Sequence, residues 1–175
     1  MTLTTHIIIA TALSKPFFHA DPALVFFIAL SSHYLSDAIP HWDYRLGAVR
    51  HIEGGDIGEH EVLRDRALIT TDLMKIACDI ALGSAIVYLA VQPEHTIAGL
   101  LPLTLAIAGA VLPDSLQPVY WLGGRWPITW IHRFHTFMHA SIRLGRDRWT
   151  DNKFILIGKV SQLALLLAAL SLAIS

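Results

Sequence analysis

Histidine and aspartate are the residues of this chain whose spacing could do chemistry. In SHYLSDAIPHWDY, His33 and Asp37 stand four apart, so a helix would stack them on one face. Pro40 then stops that helix just as His41 and Asp43 arrive. Further on, WIHRFHTFMHA sets His132, His135 and His139 at i, i+3 and i+7, a single helical stripe. His135 and His139 can share one ion, and His132 is left for a neighbouring ion or a substrate phosphate. His6, Asp72 and Asp114 join these as candidate ligands, each at the rim of an apolar stretch. Imidazole with carboxylate suits zinc first, with manganese or iron as alternatives, as one or two ions. Cys78 is the only cysteine, which excludes a thiolate site and a disulfide framework within one chain. Each feature also has a plainer reading: a capped helix end, histidines tolerated at a membrane interface, or Lys75 pairing Asp72 or Asp79.

The elements that must position these groups are oily. Hydrophobic residues are 54% of the 175, charged residues 15%, and the mean hydropathy is +0.51. That composition predicts an integral membrane protein in one domain, residues 1–175. The expected fold is all-α, a bundle of about five apolar helices plus a histidine-bearing helix at the membrane face. The formal charge of -1, with no basic tail, gives no reason to expect nucleic acid.

Helix one is expected from about Thr4 to Leu13, extending as far as Phe18, and is read as retained rather than cleaved because no Lys or Arg precedes its apolar run. Pro22 opens helix two, which ends near Ile39. Arg45 to Arg66 reads as a charged loop with a short surface helix at its end, and its His51, Glu53, Asp56, His60 and Glu61 as solvated. Helix three is expected to start at Thr70 or Thr71, capped by Thr and Asp72, and to reach Val91. Thr96 to Pro113 is eighteen residues without a charge, the clearest span. Ser115 to Pro127, with its prolines and glycines, reads as an irregular connection, Ile128 to Leu144 as the histidine helix, and Phe154 to Ile174 as the last apolar helix.

If the five apolar helices each cross once, the N-terminus, residues 45–66 and residues 115–153 share one face. Of thirteen Lys and Arg residues, only Lys15 then falls on the other, the asymmetry expected of a cytoplasmic first face. Every candidate ligand lies on that same face, so one site at the cytoplasmic rim of an inner or plasma membrane is expected.

HYLSDAIPH resembles the His-x3-Asp motif, with its downstream Pro and His, of the zinc-dependent phospholipase C and S1/P1 nuclease superfamily. The TH of THIIIATAL, GAVLPD and the HR-containing histidine helix look like the membrane-bound metal-dependent hydrolases of the YdjM type. The likeness runs as scattered short motifs from His6 to His139. It lacks the superfamily's His-x3-Glu pair and reads HRFHTFMH where the second family has His-Arg-x-x-Thr-His. The resemblance implies an all-helical metal-dependent hydrolase of phosphoester type.

The expected reaction is therefore attack by a metal-activated water on a lipid or amphiphilic phosphoester, with membrane lipid as the surrounding partner. Asp43 would orient the water, and Arg133 or Arg125 would bind the anionic substrate. The competing expectations are a non-catalytic membrane protein with a structural ion, and a metal carrier. Only Asp79 lies deep enough for a carrier's path.

Overall fold

A computed structural model describes residues 1–52, 60–123, 126–147 and 150–174. The described residues are mostly helical, with one short antiparallel hairpin. Helix α1 (Leu3–Ser14) is followed by a 3-10 turn (Lys15–Phe17) and by α2 (Pro22–Asp37). Strands β1 (Val49–His51) and β2 (His60–Val62) come next, then α3 (Arg66–Val91), α4 (Ile97–Trp121), α5 (Ile128–Met138), α6 (Ala140–Arg143) and α7 (Asn152–Ile174).

Helix α1 has no charged residue and is buried on nearly all sides, as a helix without a polar face must be. It packs against α2, α3, α4 and α7 and so forms the centre of the bundle. Its first backbone N–H groups have no partner within the helix, and α3 supplies one. The Asp79 carboxylate accepts from Leu3 N at 2.7 Å, Thr4 N at 3.1 Å and Thr4 Oγ1 at 2.6 Å. A carboxylate at a helix N-terminus also meets the positive end of the helix dipole. This resolves the cost of the deep Asp79, which is met by α1 and not by Lys75. Two glycines permit the close packing: a Cβ on Gly83 would sit 2.9 Å from Thr4 Cα, and one on Gly109 would sit 2.7 Å from Phe26 O.

Several boundaries differ from expectation for identifiable reasons. Helix α3 starts at Arg66, because Asp65 accepts from Ala67 N at 2.8 Å and Leu68 N at 3.1 Å and so caps the helix earlier than Thr70 or Thr71 could. Thr71 turns its hydroxyl back to Ala67 O. The stretch 115–121 is not irregular; α4 runs through Pro102, Pro113 and Pro118 to Trp121. Packing of α4 along α2 holds it helical despite the lost N–H groups. The expected surface helix before Arg66 is instead β2, paired with β1 in the register Val49 to Val62 and His51 to His60. The histidine helix is broken at His139, whose extended backbone (φ -63°, ψ 125°) separates α5 from α6.

Three helices, α3, α4 and α7, are long and apolar enough to cross a membrane, at 26, 25 and 23 residues. Five apolar helices are present, but α1 and α2 have only 12 and 16 residues, so the expectation of five full crossings is not met by length. At the end of the bundle where α1 finishes, Lys15 Nζ donates to Ala173 O at 2.8 Å. At the opposite end the backbone at His41 lies against Gly158 of α7, and Gln162 Oε1 accepts from Trp42 N at 3.1 Å. The loop after α2 is thereby fastened beside the start of α1.

Replacing Asp79 by Ala strands the α1 N–H groups and is expected to cost about 1–3 kcal/mol. Removing Lys75, whose half-exposed ammonium pairs Asp72, should cost less than about 1 kcal/mol. Equilibrium unfolding in detergent micelles measures both.

Candidate metal centre

The centre forms where α1 begins, α2 ends, α4 nears its C-terminus and α5 packs against it. Its hub is the Asp37 carboxylate, which is completely buried. Asp37 Oδ1 lies 3.2 Å from His6 Nε2, 3.6 Å from His41 Nε2 and 3.3 Å from the Met1 nitrogen. Asp37 Oδ2 lies 3.0 Å from His135 Nε2, 3.2 Å from His33 Nε2 and 3.5 Å from His139 Nε2. Asp114, 30% exposed, completes the group with Oδ1 at 3.4 Å from His135 Nε2 and 3.8 Å from His33 Nε2. Three sets of ligand atoms each lie mutually within 4.8 Å: His6, His33 and Asp37; His33, Asp114 and His135; and Asp37, His135 and His139.

The protonation of the rings can be read from the other nitrogens. His33 Nδ1 is 2.6 Å from Ala110 O, and His41 Nδ1 is 2.8 Å from Ile39 O. A carbonyl only accepts, so both Nδ1 atoms donate, and a neutral ring then presents a lone pair at Nε2. At His6 the reasoning passes through Ser36. The Ser36 hydroxyl spends its hydrogen on His33 O at 2.8 Å, so its oxygen accepts from His6 Nδ1 at 3.0 Å. His6 Nε2 is thus also a lone pair, and it is buried without a hydrogen bond although Asp37 Oδ1 is 3.2 Å away. As neutral rings, all three present a lone pair toward one carboxylate, which is also paired by the Met1 ammonium at 3.3 Å and hydrogen-bonded by His135 Nε2 at 3.0 Å. Acceptors repel acceptors, and burial forbids water from separating them. A cation between them reverses the sign of the interaction, and orientation of Nε2 by an Nδ1 hydrogen bond is the usual support of a histidine metal ligand. The donor set therefore fits a divalent transition ion.

Gln117, which sequence reasoning did not single out, holds two more rings. Its side-chain amide lies 2.5 Å from His135 Nδ1 and 2.5 Å from His132 Nδ1. Gln117 Nε2 donates to Pro113 O at 3.3 Å and meets His135 Nδ1, while Gln117 Oε1 accepts from His132 Nδ1; as a neutral ring His135 then carries its hydrogen at Nε2, 3.0 Å from Asp37 Oδ2, and binds an ion only in its other tautomer. His132 is stacked on Tyr120 with ring centroids 3.8 Å apart, behind the ligand group rather than in it. The stripe was expected to place all three histidines at ions, but one face of a helix reaches a point only over about one turn. His139, one turn beyond His135, reaches Asp37 Oδ2 at 3.5 Å.

Two other candidates also stand apart. Asp72 accepts from Gly47 N at 3.0 Å, Ala48 N at 2.7 Å and Lys75 Nζ at 3.2 Å, which fastens the loop before β1 and occupies its oxygens. Arg133 is exposed on the outer face of α5. Arg125, Glu53 and Asp56 lie outside the described residues. Asp43 stays near the centre, its Oδ2 3.9 Å from the Met1 nitrogen.

A cavity of about 340 Å³ adjoins the ligands. Asp43, Asp114, His135 and His139 form its polar wall, and Leu46, Ile76 and Trp121 are among its apolar residues. Arg45 and Tyr44 also line it, and both sat unnoticed in the sequence as ordinary loop residues. Burial pushes the Tyr44 phenol up, helped by the charges of Asp79 and Asp43, so it stays protonated. His60, expected to be solvated, lines the cavity as well. No family model, curated protein or solved structure matches this chain.

Burial is the largest effect on His41 and holds its pKa down to about 3; the Met1 amine and His6 lower it further, while Asp37 and the Ile39 carbonyl raise it. Burial likewise holds His132 at about 4. The unfolded chain, with pKa 6.5 at both, takes up protons that the folded protein refuses. The stability these neutral rings represent is complete above pH 6.5 and is lost as pH falls toward the folded values. Thermal unfolding of chelator-treated protein should therefore show a falling midpoint from neutral to acid pH. His41→Gln should flatten that slope.

Proposed function

We propose that this protein is a membrane-embedded, metal-dependent hydrolase acting on a phosphoester of a lipid or other amphiphile. The observation that carries the reading is the set of Nε2 atoms of His6, His33 and His41 turned toward Asp37, beside a cavity that reaches Asp114, His135 and His139. Zinc is the ion best matched to these donors, as one or two ions, with manganese or iron next. Such ions supply Lewis acidity and make water a nucleophile at neutral pH.

The chain's own residues then divide the remaining work. His33, Asp37, Asp114, His135 and His139 hold the ions, with His6 and His41 closing the group from the α1 side. Gln117 fixes the ring of His135, and His132 fixes Gln117. Asp43, at the cavity wall, orients the attacking water and takes up its proton. Arg45, which lines the cavity, is better placed than Arg133 as the cation suited to an anionic substrate. The likeness to metal-dependent membrane hydrolases supports the same reaction class, and the Lys and Arg asymmetry supports a cytoplasmic face in an inner or plasma membrane.

A second reading, a structural ion, draws support from the complete burial of Asp37 and from ligands converging from several elements. The half-open Asp114 and the adjoining cavity favour catalysis. Elemental analysis of purified protein should find at least about one equivalent of transition metal per chain, and Asp37→Asn and His135→Ala should each lose most of it. Arg45→Ala should keep the metal while the KM for p-nitrophenyl phosphate or a phospholipid rises about tenfold or more. A metal-loaded protein that hydrolyses neither, and that unfolds when the ion is removed, would support the structural reading.

A further inference from the structure

Helices α3 and α4 each pack against α1 but make scarcely any contact with one another. Cavities lie along the seam this leaves. Toward one end is the cavity beside the ligands, reached by Leu73 and Ile76 of α3 and by Ser115 and Pro118 of α4. Toward the other is a second cavity of about 470 Å³, lined by residues of these two helices alone, among them Ala85, Tyr88, Leu100 and Thr104. About two turns of each helix, between Ile76 and Ser84 on α3 and between Ile107 and Asp114 on α4, separate the two cavities without lining either. From Leu73 to Tyr88 and from Ser115 to Leu100 the rise is about 22 Å. That exceeds one leaflet's share of a hydrocarbon core about 30 Å thick.

We propose that this seam seats one hydrocarbon chain of a membrane lipid whose phosphate head lies in the cavity beside Asp114 and Arg45. The inference rests on the reading of the centre as a phosphoester site and names the part of the substrate that reading leaves open. This seam ends at clustered metal ligands and an arginine, and its far half is lined by apolar and small residues. The first cavity alone, at about 340 Å³, suits a head group and the first carbons of a chain; a long chain must continue somewhere, and the seam is in line. Small side chains at Ser84, Ala85 and Thr104 keep the far half open. In this arrangement the enzyme takes its substrate sideways from the bilayer, with the chain lying between α3 and α4 and the head drawn to the ions.

The probe is hexadecyl phosphate carrying a diazirine at its methyl end, applied to wild-type protein in detergent and in phosphatidylcholine vesicles. Crosslinks are expected at residues 84–89 of α3 and 100–107 of α4. Unlabelled hexadecyl phosphate should compete, and butyl phosphate should compete only at much higher concentration. Ala85→Trp and Thr104→Trp should each weaken hexadecyl phosphate binding about tenfold while leaving metal content and butyl phosphate binding unchanged. Crosslinks spread over the outer faces of α3, α4 and α7, or confined to a contact between two copies of the chain, would overturn the proposal. So would equal affinity for the two alkyl phosphates. The mapping uses the wild-type chain and stands whatever the tryptophan variants do to folding. If metal is absent yet the chain maps to the seam, the hydrolase reading fails and the chain site survives; metal with no seam crosslink gives the reverse.

Discussion

A buried carboxylate surrounded by imidazole lone pairs is an arrangement a folded chain cannot leave uncompensated, and the rest of this structure is arranged around that constraint. Asp37 has no exposure, and the rings of His6, His33 and His41 are each committed at Nδ1 to an oxygen of the protein. The same hydrogen bonds that make the Nε2 atoms good ligands make them poor neighbours for an anion. The Met1 ammonium, 3.3 Å from Asp37 Oδ1, supplies one positive charge there, and an ion bound among the rings would add its binding free energy to the stability of the bundle. The neighbouring packing is correspondingly tight. Asp79 fixes where α1 starts, Gly83 lets α3 approach it, and Gly158 lets the His41 backbone lie on α7. The first two contacts set the position of His6 on α1, and the third that of His41.

The clustering of His33, Asp37 and Asp114 was legible because hydropathy and spacing constrain them jointly. His33 and Asp37 are one turn apart, Asp114 ends an uncharged span, and a chain folded back and forth must bring those helix ends together. Asp72 meets the same description and yet binds backbone amides of Gly47 and Ala48. A carboxylate at a helix end reads identically in sequence whether it holds an ion or a loop. Gln117 was invisible for a related reason: a glutamine near the end of an apolar helix carries no charge and no spacing signal, and its role exists only once two histidines from α5 arrive on either side. Arg45 and Tyr44 belong to a segment whose mixed composition signals solvent, and only the cavity behind it shows which of its residues turn inward.

The extent of the helices was harder to read than their existence. In water, three prolines would have ended α4, and an irregular connection from Ser115 was the natural expectation. Lining a protein interior, the segment has no water to receive its free backbone groups, and continuing the helix leaves the fewest unsatisfied. The shortness of α1 has the opposite origin. With α2, α3, α4 and α7 around it, its length need not match a bilayer. It can stop where its first turn is capped by Asp79 and where His6 meets Asp37.

The break at His139 shows how these constraints combine. On an uninterrupted helix, His132, His135 and His139 would span nearly two turns, about 10 Å along the axis, too far for all three to meet one carboxylate. Helix α5 therefore places His135 at Asp37 and leaves His132 one turn back, where Gln117 and the Tyr120 ring receive it. The extended backbone at His139 swings the next residue out of the helical path, and its ring comes to 4.8 Å from that of His135 and 5.3 Å from that of His41. The α5 helix thus serves two levels of the centre, His135 facing Asp37 and His132 facing the Gln117 amide that also meets His135. The His139 ring, one turn beyond His135, closes the group from the α5 side.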